Sequence, residues 1–106
     1  MTGGRGYGDS RRVDFILSAL WPFKLGHGNA RGADSLCEQW VRRRDPCAFT
    51  RYPAEWTKHG KSAGPIRNRF MLDDFKPHIL VAFPGGSGTA DCVAAALSRG
   101  IPVWRV

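Results

Sequence analysis

Acidic residues are scarce in this chain. Nine Asp and Glu stand against 16 Lys and Arg, a formal charge of +7. Such an excess on a small domain favours polyanionic partners: nucleotides, nucleic acid or phosphorylated metabolites. A solvated surface suited to solubility carries the same charge, so charge alone does not choose. Cysteine is also sparse. Cys37, Cys47 and Cys92 are odd in number and form no CxxC pair, which disfavours a disulfide framework or a zinc knuckle and leaves reduced thiols. His27, His59 and His78 are scattered, so neither a metal nor a cofactor is expected. Missing too are a bilayer-length apolar run, a signal-peptide pattern and an internal repeat. The expectation is a cytoplasmic protein with no membrane partner.

What is present is organised around His78 to Cys92, HILVAFPGGSGTADC. Ile79 to Phe83 is a short continuous apolar run, the pattern of a parallel strand covered on both faces. Pro84 stops it, and Gly85, Gly86 and Gly88, with Ser87, precede an apolar-periodic segment that opens at Thr89. A strand, a glycine turn and a helix start follow one another. Glycines let the backbone approach a ligand, and free N–H groups at a helix start attract phosphate or carboxylate. A tight turn is the bland alternative.

Two more glycine turns precede this one. The first, MTGGRGYGD, holds Gly3, Gly4 and Arg5, and Asp9 or Ser10 caps a helix running to about Leu20 with Val13, Ile16, Leu17 and Leu20 on one face. Only Met1 and Thr2 remain for a strand ahead of it, which is either vestigial or clipped. Phe23 to Leu25 reads as a short strand interrupted by Lys24, ending in GHGNARGAD with Gly28, Arg31 and Gly32. A helix follows, with Ala33, Leu36, Cys37, Trp40 and Val41 at helical spacing. Arg42, Arg43 and Arg44 suit the dipole of its last turn, and Asp45-Pro46 ends it. Asp34 caps this helix, or binds ribose hydroxyls, or serves as a general base.

Cys47 to Tyr52 is a third strand candidate, and 53–64 reads as a loop. Within it Trp56 is a core anchor or a stacking platform, beside Lys58, His59 and Lys61. Pro65 starts a helix to Leu72, on which Arg67 and Arg69 point in different directions. The last helix uses Val93, Ala96 and Leu97 and stops at Gly100, before a strand from Ile101 to Val106. Alternating strands and helices imply one α/β domain over 1–106, a parallel sheet of four or five strands with helices on both faces. Every glycine turn then falls on the carboxyl rim of that sheet, where ligands sit in such folds.

The blocks GGRGYGD, GHGNARGAD, PAEWTKHGKSAGPIRNRFM and FPGGSGTAD together resemble the YspA-like, cpYpsA-related branch of the SLOG superfamily. The resemblance covers nearly the whole chain. It implies a Rossmann-like open, mostly parallel sheet, in which the first strand of this sequence is very short, and a nucleotide or nucleotide-derived ligand. The superfamily includes Lonely-guy phosphoribohydrolases and the DNA-binding DprA proteins. The former use an Arg in RKxxM and the Glu of PGGxGTxxE. Here Arg67 matches that Arg, Asn68 stands where the Lys would be, and Cys92 holds the Glu position. Asp91 lies one residue earlier, roughly 100° around the helix.

Three functions follow in order of expectation. The first is binding or sensing of a nucleotide-type molecule, with main-chain amides of Gly85, Gly86, Ser87, Gly88 and Thr89 on phosphate, Arg5 and Arg67 adding charge-assisted bonds, and Asp34 on ribose. The second is an N-glycosidic hydrolase or transferase using Arg67 with Asp34 or Asp91 as the carboxylate. The third is DprA-like binding of single-stranded DNA. Homo-oligomerisation is a further expectation from the resemblance, whose members often pair through helices.

Overall fold

Asp9 opens the first helix. Its carboxylate accepts the Arg12 N–H at 3.0 Å and so caps α1 (Ser10–Leu20) at a donor the helix itself leaves unpaired. A computed structural model describes all residues, 1–106. After α1 come β1 (Leu25–His27), α2 (Ala33–Arg42), β2 (Phe49–Arg51), α3 (Trp56–His59) and a 3-10 turn (Gly60–Ser62). Then follow α4 (Ala63–Phe75), β3 (Leu80–Ala82), α5 (Ser87–Ser98) and β4 (Val103–Arg105). The α/β class matches the alternation read from the sequence. No helix is long and apolar enough to cross a membrane.

The strands form two parallel pairs. Leu25 to His27 lie opposite Phe49 to Arg51, and Leu80 to Ala82 lie opposite Val103 to Arg105. Thr2 makes an isolated parallel bridge to Ala82: its N–H donates to the Val81 carbonyl, and its own carbonyl accepts from Phe83 N–H, both at 3.0 Å. The Met1 amino nitrogen donates to the Gly26 carbonyl at 2.8 Å. A continuous ladder of four or five strands is therefore replaced by two pairs with residues 1–3 against them. The named strands are three residues each, and Thr2 contributes a single bridge, to Ala82.

Each face of β3 feeds its own core, because successive side chains on a strand point to opposite sides. Val81 and Phe83 join Val13, Ile16 and Leu17 of α1 and Cys37, Trp40 and Val41 of α2. Leu80 and Ala82 join Met71 and Leu72 of α4 and Cys92, Val93 and Ala96 of α5. Helices thus cover both sides.

Several boundaries differ from the sequence pattern. β1 begins at Leu25, and Phe23 instead stacks on Trp40 with ring centroids 6.2 Å apart. The 53–64 stretch is not all loop, since it holds α3 and the 3-10 turn. α4 starts at Ala63, leaving Pro65 in its first turn where a missing N–H costs nothing. The same helix continues past Leu72 to Phe75. Leu97, expected inside, is 57% exposed, and Ala95 takes the inner place instead.

Candidate ligand-binding site

Three loops meet at one rim. Gly4 N–H donates to the Pro84 carbonyl at 2.9 Å, and the Gly4 carbonyl accepts from Ala33 N–H at 3.1 Å. The turn after the opening segment is thereby tied to the loops that follow β3 and β1. Together with α4 and the start of α5 they enclose a cavity of about 670 Å³. Of the residues singled out in the sequence, Gly3, Gly4, Arg5, Gly28, Asp34, Arg67, Asn68, Gly86, Ser87, Gly88, Thr89 and Asp91 line it. Arg31 does not, and lines an adjoining hollow of about 320 Å³. Gly32 and Gly85 also fall outside the main cavity. Gly32 sits at φ +73° with its α-carbon against the carbonyls of Gly4 and Arg5, which excludes a side chain there. Gly85 backs onto Thr89 and faces a separate small hollow.

The start of α5 offers donors. Gly86 is its N-cap, with no side-chain cap, and the N–H groups of Ser87, Gly88 and Thr89 find no acceptor within the protein. A Cβ at Gly86 or Gly88 would meet nothing within 4 Å, so this face is open. First-turn N–H groups with the dipole behind them are suited to an anion.

Arg67 projects from α4 into the same cavity. One of its terminal nitrogens donates to the carbonyls of Gly28 and Tyr52, and Nε donates to Asn68 Oδ1 at 2.9 Å. No carboxylate pairs with it. Burial lowers its pKa below the ordinary arginine value, with nearby Asp34 opposing that and Arg5 adding to it. Approach to Gly28 is so close that a Cβ there would overlap the guanidinium. Asn68 donates to the Gly88 carbonyl at 3.2 Å and to Asp91 Oδ2 at 3.1 Å, which ties α4 to the α5 start.

The two carboxylates are already engaged. Asp34 Oδ2 accepts Gly28 N–H at 3.0 Å and Ala30 N–H at 3.2 Å. It folds the loop ahead of α2 rather than capping the helix. Asp91 takes both terminal nitrogens of Arg69, at 3.0 and 3.1 Å. That pairing, with Asn68, holds its carboxyl below the usual range against the effect of burial. Cys92, one residue on, is 0% exposed in the α4–α5 core, and burial raises its thiol pKa.

Behind the 28–32 loop lies a buried network that no local pattern announced. Asn29 N–H donates to His27 Nδ1 at 3.0 Å, so the proton sits on Nε2 and donates to Glu38 Oε1 at 2.9 Å. Glu38 also accepts two bonds from Arg51, at 2.7 and 2.8 Å, and one from Arg42 at 2.6 Å. Arg51 leads in holding the Glu38 carboxyl down to about 2. Burial keeps the His27 pKa below its ordinary value. The one sequence hint was the Glu38/Arg42 spacing of four.

Trp56 is at the cavity mouth and not in the core: it is 47% exposed, with the Arg5 guanidinium 5.1 Å from its ring centre. Lys61 lines the same cavity. Of the Arg42–Arg44 run, Arg42 is bound to Glu38, and Arg44 lies 3.4 Å over the Trp40 ring and donates to its carbonyl. No group of three or more His, Cys, Asp or Glu is placed to hold a metal ion.

No family model matches the chain, and no solved structure matches it. It is 39% identical over 114 residues to the Gene 61 protein of Mycobacterium phage D29, an alignment spanning 97% of this chain and 90% of that protein. With that identity over almost all of both chains, the chain belongs to the family of the phage Gene 61 protein.

Proposed function

We propose that this protein binds a nucleotide or nucleotide-derived small molecule, as a sensor or sequestering domain. The observation that carries the reading is Arg67, a half-buried cation held by carbonyls and making no direct ion pair, facing free N–H groups across one cavity. A desolvated charge without a partner is costly, and an anionic ligand supplies the missing one. In this reading the amides of Ser87, Gly88 and Thr89 hold a phosphate, Arg67 and Arg5 share its charge, and Asp34 Oδ1 remains for a ribose hydroxyl. The likeness of the four glycine and arginine blocks to YspA-like SLOG domains supports the same ligand class.

A Rossmann-like organisation is part of the proposal. Its support is the position of residues 1–3, bonded to Gly26 on one side and to Val81 and Phe83 on the other. In this reading Met1 and Thr2 stand for the central strand between the β1–β2 and β3–β4 pairs.

Hydrolysis of an N-glycosidic bond draws less support. Asp91 is neutralised by Arg69, Asp34 is occupied by its loop, and the Cys92 thiol points into the core. Binding of single-stranded DNA draws less as well, since Arg42 and Arg44 are spent on internal contacts. Isothermal titration with a panel of nucleotides tests the proposal. Micromolar binding of at least one, abolished by Gly86→Trp, is the expected result. A panel in which nothing binds better than millimolar overturns it.

A further inference from the structure

Beside the main cavity lies the second hollow, and its lining is chemically one-sided. Nine residues form it, among them Arg5, Arg31 and Arg67 and no Asp or Glu. None of these three arginines makes an ion pair with a carboxylate, whereas Arg42, Arg51, Arg69 and Arg99 all do. Three guanidinium groups around one small hollow repel each other until an anion enters. Gly28, Trp56, Arg5 and Arg67 line both spaces, so the two are lobes of one cleft. Between them Trp56, 47% exposed, offers a flat ring that the Arg5 guanidinium approaches to 5.1 Å of its centre.

Resting on the proposal of a nucleotide ligand, we infer that the ligand carries two separated phosphates. One sits at the start of α5. The other lies on the far side of the sugar, in the lobe of Arg31, with Arg5 and Arg67, which line both lobes, between the two phosphates and the base or sugar ring against Trp56. The chemical class is a nucleoside bisphosphate of the 3′,5′ type, as opposed to a monophosphate or a linear diphosphate. Arg31 is the residue that decides between them, because it is exposed, unpaired and confined to the second lobe.

Titrations with adenosine 5′-monophosphate, 5′-diphosphate and 3′,5′-bisphosphate test this on the wild type and on Arg31→Ala, whose exposed position spares the fold. The bisphosphate is expected to bind at least about ten-fold tighter than either other nucleotide, with that preference falling close to one in Arg31→Ala. Equal affinity for monophosphate and bisphosphate in the wild type overturns the two-lobe reading but leaves nucleotide binding standing. A linear diphosphate that matches the bisphosphate does the same, as does a preference that survives Arg31→Ala. Failure of all three nucleotides to bind overturns the two-lobe reading, and nucleotide binding falls with it when the wider panel also shows nothing better than millimolar.

Discussion

The guanidinium of Arg67 rests on the carbonyl of Gly28, a residue 39 positions earlier in the chain. That contact joins α4 to the loop after β1 and leaves no room for a side chain at position 28. Gly28→Ala is expected to push the guanidinium, the far end of a flexible side chain, out of place at a stability cost of about 1 kcal/mol, the scale of the hydrogen bonds it gives up. Chemical denaturation measures the stability change. Nucleotide titration of the same variant is expected to show weakened binding, and unchanged values in both would sink the assignment.

Arg67→Met separates ligand binding from folding. It keeps an apolar stem and removes a charge that is hydrogen-bonded but makes no direct ion pair in the free protein. Ligand affinity should fall on the order of ten- to a hundred-fold, the scale of a lost charge-assisted bond. The melting temperature without ligand should shift by only a few degrees, roughly the scale of 1 kcal/mol in a domain of this size. A large drop in melting temperature with unaltered affinity would make Arg67 a structural residue alone.

Acid should loosen the back of the site in two stages. Burial depresses the His27 pKa below the unfolded value of 6.5, so the unfolded chain binds that proton first and stability declines as pH falls below 6.5. Glu38 is held at about 2 against an unfolded value of 4.5, chiefly by Arg51. Its contribution is complete above 4.5 and is lost as pH falls from there towards 2. Urea melts at pH 7, 5.5 and 3.5 should show this decline. In Glu38→Gln the drop between 5.5 and 3.5 should flatten, and an identical acid limb in both proteins contradicts the network's role.

Thiol labelling distinguishes the three cysteines. Cys47 is exposed while Cys37 and Cys92 are buried, with burial pushing the Cys37 thiol up to about 12. A disulfide reagent at pH 8 should modify Cys47 quickly in the native protein and all three only after unfolding. Rapid native labelling of Cys92 would place it in the cavity rather than the core.

The buried strand around 80–83 and the glycine turn after it were readable because a strand and a helix start are local events, although Ile79, counted into the run, lies outside the strand and is exposed. The inner faces of α1 and α2 were readable for the same reason, since periodicity at Val13, Ile16 and Leu17 or Cys37, Trp40 and Val41 needs no tertiary knowledge. The Glu38 cluster was not legible. His27, Arg42 and Arg51 come from three elements, and only the β1–β2 pairing brings His27 beside Arg51. Asp34 was ambiguous because an acidic residue at a helix start satisfies local donors equally well ahead of the helix or within it. Trp56 could not be placed from composition, since whether an aromatic ring is covered depends on which loops cross it. The short strands at 25–27 and 49–51 carried too few residues for their ends to be marked by alternation.

Gly4 bonds through its N–H to Pro84 and through its carbonyl to Ala33 and Tyr7. One residue therefore stitches loops from distant parts of the chain before anything enters the cleft. Association would then consume little entropy in ordering the recognition surface, so the heat and the rate of binding report mainly on the incoming molecule's own desolvation and fit.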